Sequence, residues 1–379
     1  MLTGAPDPSL PRLLPRLGGC VDITDMDHDA AAAALAPHRP DGIVSFVDDH
    51  LVTAAAIAAR LGLSYHSPEV AVGLADKRRQ RDLLARAGVA GPRFWSLGPG
   101  PPAAAFEEVP AAVTFPVVAK PAARSGSRGI RLATDRAQLA EVVAAGPTRG
   151  WVVEEYLEDA CGMRSDFASY LSVESVLGSG EVSHVAITSR FPLASEFRET
   201  GNFIPVRLPP PLERSVLATP SDALAALGVT SAAAHTEIKL TPDGPRLIEV
   251  NGRPGGRPPF VLRAAAGVNL FALTCQAAAG IPVHVDGPVR CRAVGCWLMV
   301  QPPVTARRVG EIAGLEEISH LDGVDLVQVR RHPGEHVDWR EGTDSQVLTV
   351  RGAVPDHPHL VCTIRAIHEA LTVRYLTTA

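Results

Sequence analysis

The 379-residue chain carries a formal net charge of -5 and is 46% hydrophobic and 20% charged. That length exceeds one ordinary core and fits two or three packed lobes. With no lysine or arginine block long enough to track a phosphate backbone, the composition excludes a nucleic-acid-binding surface. The opening residues lack a basic start followed by an apolar run, and no uncharged apolar stretch reaches the roughly eighteen residues of a membrane span. The six cysteines, Cys20, Cys161, Cys275, Cys291, Cys296 and Cys362, form no CxxC pair and read as reduced thiols. A soluble, cytoplasmic protein is expected.

In chain order, Val21 to Thr24 and Gly42 to Val47 read as short buried strands, with helices over Asp29 to Ala36 and Leu51 to Leu61, which together make a small α/β lobe. Asp76 is placed to cap a helix from Lys77 to Ala87 that closes at Gly88. Lys77, Arg78, Arg79 and Arg81 form the best basic cluster, and a solvated helix face is as good an account of it as a functional one, Lys77 aside. Gly98 to Pro102 is the expected linker, and Pro116 to Pro121 the first strand beyond it. The RSGSRG loop, Arg124 to Gly129, joins strand to strand and so is not a P-loop, yet its glycines and serines let backbone amides approach phosphate oxygens. Strands follow at Trp151 to Leu157, Phe167 to Val176 and Val182 to Ser189. A helix is then expected near Ser221 to Leu227, another over Leu262 to Ala279, and tail strands near Ala293 to Val300 and Val347 to Val350.

Between the two last helices lies HTEIKLTPDGPRLIEVNGRPGG, His235 to Gly256. Strong turn chemistry from Thr241 to Pro245 between two strand-like runs makes it a β-hairpin. With Leu240 and Arg246 flanking the turn, Glu237 falls opposite Glu249, and His235, Lys239, Asn251 and Arg253 share their face. Ile238, Leu240, Ile248 and Val250 then face the core. Like charges opposite one another destabilise a sheet, and a divalent metal resolves the conflict. Two carboxylates and an amide suit Mg²⁺. The alternative is a solvated hairpin in which Lys239 neutralises one glutamate.

Read together, Lys77, PVVAKP with Lys120, RSGSRG, VVEEYL, FRETG with Glu199, HTEIKL and EVNGRPGG resemble the ATP-grasp carboxylate-amine ligases, in particular the L-amino acid (dipeptide) ligase branch. The likeness runs from about residue 20 to residue 290. It implies an α/β ATP-grasp fold: an N-terminal Rossmann-like lobe over residues 1–90, a central subdomain over 91–160, a C-terminal subdomain over 161–290 and an α+β extension over 291–379. It also implies ATP-dependent amide formation through an acyl phosphate, from small-molecule carboxylate and amine substrates, with amino acids expected and a homodimer left open. Phosphotransfer or carboxylation on another acceptor, or a nucleotide-binding protein without turnover, are the alternatives on the same fold.

By the same resemblance, Glu237, Glu249 and Asn251 would hold one or two Mg²⁺, with Mn²⁺ able to substitute, and Lys77 and Lys120 would contact the ATP phosphates. Ser125, Gly126 and Ser127 belong to a flap over those phosphates. Glu154 would receive the adenine amino group, with the backbone of Tyr156 and Leu157 at the base edge and Glu155 equally well turned to solvent. Arg253 would steady the acyl phosphate and the tetrahedral adduct, and Glu199 would lie near the bound amino acid. His235 stays outside this set as a packed histidine. Three departures stand out. Met1 to Pro15 offers only a proline-broken fragment of the first lobe, so a truncated lobe is expected. Asn202 replaces a histidine found in some relatives. Arg257, after the Gly255–Gly256 turn, stands where related ligases place a bulky aromatic. These last three line the expected substrate pocket, and a cation there suits a substrate with an additional carboxylate.

Overall fold

The computed structural model describes residues 18–100, 106, 109–146, 150–160, 167–178 and 180–377. Cys161, Met1 to Pro15 and the linker residues Pro101 and Pro102 lie outside them. The first helices, α1 (His28–Leu35) and α2 (Leu51–Leu61), close over Ile23, Ala31, Ala32 and Ile57, with Val21 and Ile43 packed beside them. The two strands expected at Val21 to Thr24 and Gly42 to Val47 do not form. Both segments are apolar, but a strand also needs a hydrogen-bonded neighbour, and neither segment is paired in a sheet among the described residues.

Helices α3 (Pro68–Ala75) and α4 (Lys77–Arg86) lead to the centre of the molecule. Asp76 caps α4 as expected, its carboxylate accepting from Arg78 N at 2.9 Å. The basic cluster of α4 divides: Lys77 and Arg81 are buried with Gln80 and Leu84 at helical spacing, while Arg78 is half-buried and Arg79 is exposed. A helix with so polar a buried stripe must find partners for it, and α4 finds them on the edge of a sheet and in the cleft.

Strands β1 (Phe94–Leu97), β2 (Val117–Pro121), β3 (Arg131–Ala133) and β4 (Trp151–Glu155) form an antiparallel sheet in the order β1-β4-β2-β3. Helix α5 (Arg136–Ala145) covers one face, where Leu139 and Val143 meet Leu97, Val117, Ala119, Trp151 and Val153.

The larger sheet has eight strands in the order β12-β13-β10-β7-β6-β5-β8-β9. It comprises β5 (Tyr170–Gly178), β6 (Glu181–Arg190), β7 (Gly201–Ile204), β8 (Ala232–Thr241), β9 (Gly244–Asn251), β10 (Val294–Val300), β12 (Val324–Val329) and β13 (Leu348–Val354), while β11 (Arg308–Ala313) and β14 (Thr372–Leu376) pair apart from it. The boundary expected near residue 290 therefore does not divide two sheets, because β10 pairs with both β7 and β13. The helix expected from Ser221 starts earlier, as α6 (Pro210–Leu227). Its leading prolines sit in the first turn, where a missing N–H costs nothing. The helix expected over Leu262 to Ala279 is two, α7 (Pro258–Ala266) and α8 (Leu270–Ala278), bent by 113°. Gly267 ends the first at φ +74° and Asn269 caps the second through Ala272 N. No single helix is long and apolar enough to cross a membrane among the described residues.

Candidate active site

The hairpin of β8 and β9 brings Glu237 opposite Glu249 and His235 opposite Asn251. The turn is tighter than expected, with Thr241 already paired to Gly244, and an irregularity between Glu237 and Ile238 restores the register. One residue is thereby displaced on β9. Leu247 and Val250 enter the core, whereas Ile248, expected there, lines the cleft beside Glu249. Helix α4 covers this edge strand. The Gln80 side chain exchanges hydrogen bonds with Val250 N and O, both 2.9 Å, and Arg81 donates to the carbonyls of Leu247 and Ile248. Edge-strand groups that would otherwise be unpaired are thus satisfied by side chains.

Lys239 pairs with Asp159 and neutralises neither glutamate. Lys77 takes that position, with Nζ 2.6 Å from Glu249 Oε1 and 2.7 Å from the Arg124 carbonyl. Burial by itself lowers the pKa of Lys77, but the Glu249 carboxylate more than offsets it and holds the ammonium above its usual range. On the other side of the pair, His235 Nε2 is 3.5 Å from Glu237 Oε1 and Nδ1 is 2.6 Å from Glu174 Oε1. Burial opposes the charge on this histidine, and the Glu174 and Glu237 carboxylates raise its pKa to about 9. Glu237 is held low despite its burial by His235 and by the hydroxyl of Tyr170. The second oxygen of Glu174 accepts from Gly255 N at 3.0 Å, so the chain of contacts fixes the glycine turn as well as the glutamate. Gly255 has no room for a side chain, since a Cβ would stand 2.7 Å from His235 Nδ1.

Glu154 is buried with both oxygens occupied: Oε1 is 2.6 Å from Arg81 Nε and Oε2 2.6 Å from Lys120 Nζ. Burial pushes its pKa up, but the two cations bring it down to about 2. Its side chain thus braces α4 against β2, while Lys120 itself lines the cleft. Glu155 turns outward to Arg93, 2.7 Å away, and Tyr156 and Leu157 leave the strand end beyond it, with Tyr156 N donating to Pro116 O at 3.3 Å.

In the same cleft, Arg253 pairs with Asp48 from the first lobe. Burial disfavours its charge and Asp48 restores it, leaving the guanidinium pKa raised. Glu199 is 2.7 Å from Arg190 Nε. Arg257 is bound more loosely, 3.9 Å from Glu199 and 4.0 Å from Asp344, and burial lowers its pKa. Arg190 Nη1 and both polar atoms of Asn202 are buried with no hydrogen-bond partner among the described residues. The cleft holds a cavity of about 130 Å³. Its walls include Lys77, Lys120, Ser125, Gly126, Ser127, Glu199, Glu237, Glu249, Asn251, Arg253, Gly256 and Arg257, so residues far apart in sequence do converge here. Glu154, Glu155, Tyr156, Leu157 and Gly255 do not line it. Among the described residues no three His, Cys, Asp or Glu side chains cluster as a metal site. Two carboxylates and an amide on facing strands, with only Lys77 against Glu249, still offer the oxygen donors that Mg²⁺ takes.

Asp48, Tyr170, Glu174, Arg190 and Asp344 were not legible as site residues. Glu174 did carry a signal, a lone charge inside the run YLSVESVLG, and Arg190 is a charge that ends the run VSHVAITSR. A strand buried at that point needs an internal partner for such a group.

No protein-family model matches this sequence. It is 30% identical over 316 residues to carnosine synthase 1 of Gallus gallus, covering 76% of this chain and 33% of that protein. To alanine–anticapsin ligase of Bacillus subtilis it is 28% identical, over 52% of this chain and 45% of that one. The chain thus spans less than half the length of these two relatives. The crystal structure of an L-amino acid ligase from Bacillus licheniformis superposes with a TM-score of 0.76 at 20% identity, covering 93% of this chain and 86% of that one.

Proposed function

We propose that this chain, which belongs to the ATP-grasp amino acid ligase-like family, joins a carboxylate to an amine at the expense of ATP, with amino acids as substrates. The observation that carries the reading is the meeting, in one cleft, of Glu237, Glu249, Asn251, Lys77 and Lys120 with Arg253 and Arg257. A carboxylate is a poor electrophile until one of its oxygens becomes a leaving group. Transfer of the γ-phosphoryl of ATP to that oxygen gives an acyl phosphate and ADP, and attack by a neutral amine then forms the amide and releases phosphate. Such transfer is catalysed mainly by positioning and by neutralising charge.

Lys77 and Lys120 supply fixed positive charge toward the phosphates. Glu237, Glu249 and Asn251 would hold one or two Mg²⁺, or Mn²⁺ through the same oxygen donors, and the bound cation supplies charge neutralisation at the triphosphate. Arg253, kept charged by Asp48, presents a fork of donors to the acyl phosphate and to the adduct that follows. Ser125, Gly126 and Ser127, in the cleft wall, cover the phosphates. Glu199, already bound to Arg190, shapes the acceptor end rather than offering a free charge to an ammonium group. The loosely held Arg257, the unpartnered Arg190 Nη1 and Asn202 favour a substrate with a carboxylate beyond the one activated. The free thiols Cys20, Cys275, Cys291, Cys296 and Cys362 fit a reducing, cytoplasmic setting.

The test is to incubate the protein with ATP and Mg²⁺ and amino acids in pairs, measuring phosphate release and product mass. Release that requires both a carboxylate and an amine, with a product lighter than their sum by one water, is the expected result. Phosphate release that needs no amine would replace ligation by hydrolysis, and ADP formed without free phosphate would replace it by phosphotransfer.

A further inference from the structure

The loop from Arg124 to Gly129 is not free over the cleft. Lys77 donates to the Arg124 carbonyl at 2.7 Å, and Ser127 Oγ donates to Phe197 O at 3.0 Å. Its tip is held by the C-terminal extension: Thr343 N donates to Gly126 O at 2.9 Å, and Arg128 lies 3.4 Å from Asp344. Just beyond the loop, the Arg131 guanidinium stacks 4.1 Å over the Trp339 ring.

The same turn also reaches the substrate end. Thr343 Oγ1 accepts from Glu199 N at 3.3 Å, and Gln301 Nε2 donates to the carbonyls of both Glu199 and Thr343, at 2.7 and 3.1 Å. Ser345, fully buried, ties back to Gly342 O at 2.8 Å and to Gln301 at 3.0 Å. Gly342 makes this docking possible. Its backbone sits at φ 70° and ψ -140°, a region in practice reserved for glycine, and an added Cβ would stand 2.1 Å from Gly126 O.

We propose that Gly342 and Thr343 are positioning residues for the reaction: their turn latches the Arg124–Gly129 loop over the cleft, and so decides whether the activated carboxylate meets an amine or water. The inference rests on the reading of the cleft as an acyl-phosphate site. Attack by water on an acyl phosphate returns the carboxylate and phosphate, so ATP is consumed and no amide forms. A loop held closed shuts out that competitor until the amine is seated.

Gly342→Ala breaks the latch at its closest contact, and Trp339→Ala loosens it from the half-buried flank should the first variant fold poorly. Trypsin cleavage after Arg124 and Arg128, followed by mass spectrometry and normalised to cleavage after the exposed Arg290, reads loop opening without any assumption about function. Cleavage at the loop is expected to rise by roughly fivefold or more in either folded variant, since opening and not the protease limits it. The ratio of phosphate released to amide formed should rise with it, while the KM for the amine substrate changes little. Unchanged loop cleavage in both variants overturns the latch. Faster cleavage with an unchanged phosphate-to-amide ratio overturns its role in excluding water. If instead the wild-type protein makes no amide with any pair of substrates, the reading of the cleft fails, and the cleavage result still decides whether the loop is latched.

Discussion

Glu154 and Glu249 are both carboxylates beside a lysine, each 2.6 Å from its Nζ, yet they stand in opposite electrostatic situations. Glu154 is one carboxylate between two cations, Lys120 and Arg81, with both oxygens taken and no face toward the cleft. Around Glu249 the balance runs the other way: among the described residues Glu249, Glu237 and Glu174 form direct ion pairs with Lys77 and His235, and Arg253 and Arg190 act on them from farther off. An over-compensated carboxylate is a structural brace, because no further cation gains by approaching it. An under-compensated cluster that opens on a cleft retains attraction for a divalent ion, and that difference separates the part of this fold that holds lobes together from the part that does chemistry.

The sharpest way to break this comparison is to neutralise one carboxylate of each kind. Glu249→Gln should lower turnover by roughly a thousandfold while leaving the unfolding transition intact, because the cluster loses charge needed at the phosphates. Normal activity in the folded variant at low Mg²⁺ would remove Glu249 from the site. Glu154→Gln should do the reverse in kind, costing about 3 kcal/mol of stability by leaving Arg81 and Lys120 buried without their anion. Urea denaturation measures this, and an unchanged midpoint would show that Glu154 is no brace.

The pH dependence follows with a definite sign. The folded pKa of Glu154, about 2, lies below its ordinary value of 4.5, so its contribution to stability is complete above pH 4.5 and is lost as pH falls toward 2. Acid unfolding of Glu154→Gln followed by circular dichroism should therefore lack part of the steepness seen in the wild type over that window. Equal steepness would assign the acid response to other carboxylates.

Smaller effects sharpen the part played by the arginines of the cleft. Arg253→Lys should lose roughly tenfold in kcat, since a point charge cannot reproduce the fork of donors, with little change in ATP affinity. Impaired ATP binding with normal kcat would move Arg253 to the nucleotide. Arg257→Ala should raise the KM of the substrate bearing the additional carboxylate by roughly fivefold and leave the KM for ATP alone. An unchanged KM for every substrate would leave Arg257 as a partner of Glu199 and Asp344 only.

By itself the sequence determined what depends on short range. The Asp76 cap and the paired strands of the hairpin follow from cap and turn chemistry, which neighbours in sequence fix, whereas the facing of Glu237 and Glu249 also needed the irregularity between Glu237 and Ile238. Tertiary structure decided what depends on a partner. Val21 to Thr24 alternates like a strand but finds no neighbour to pair with among the described residues, and Ile248 left the core because the irregularity between Glu237 and Ile238 moved it. It was likewise the assembled fold that turned Lys77 and Arg81 of α4 inward, set Asp48 against Arg253 and laid Gly342 on Gly126. A charge buried at a junction of lobes is stable only beside a counter-charge from another part of the chain, and no local pattern encodes which part that is.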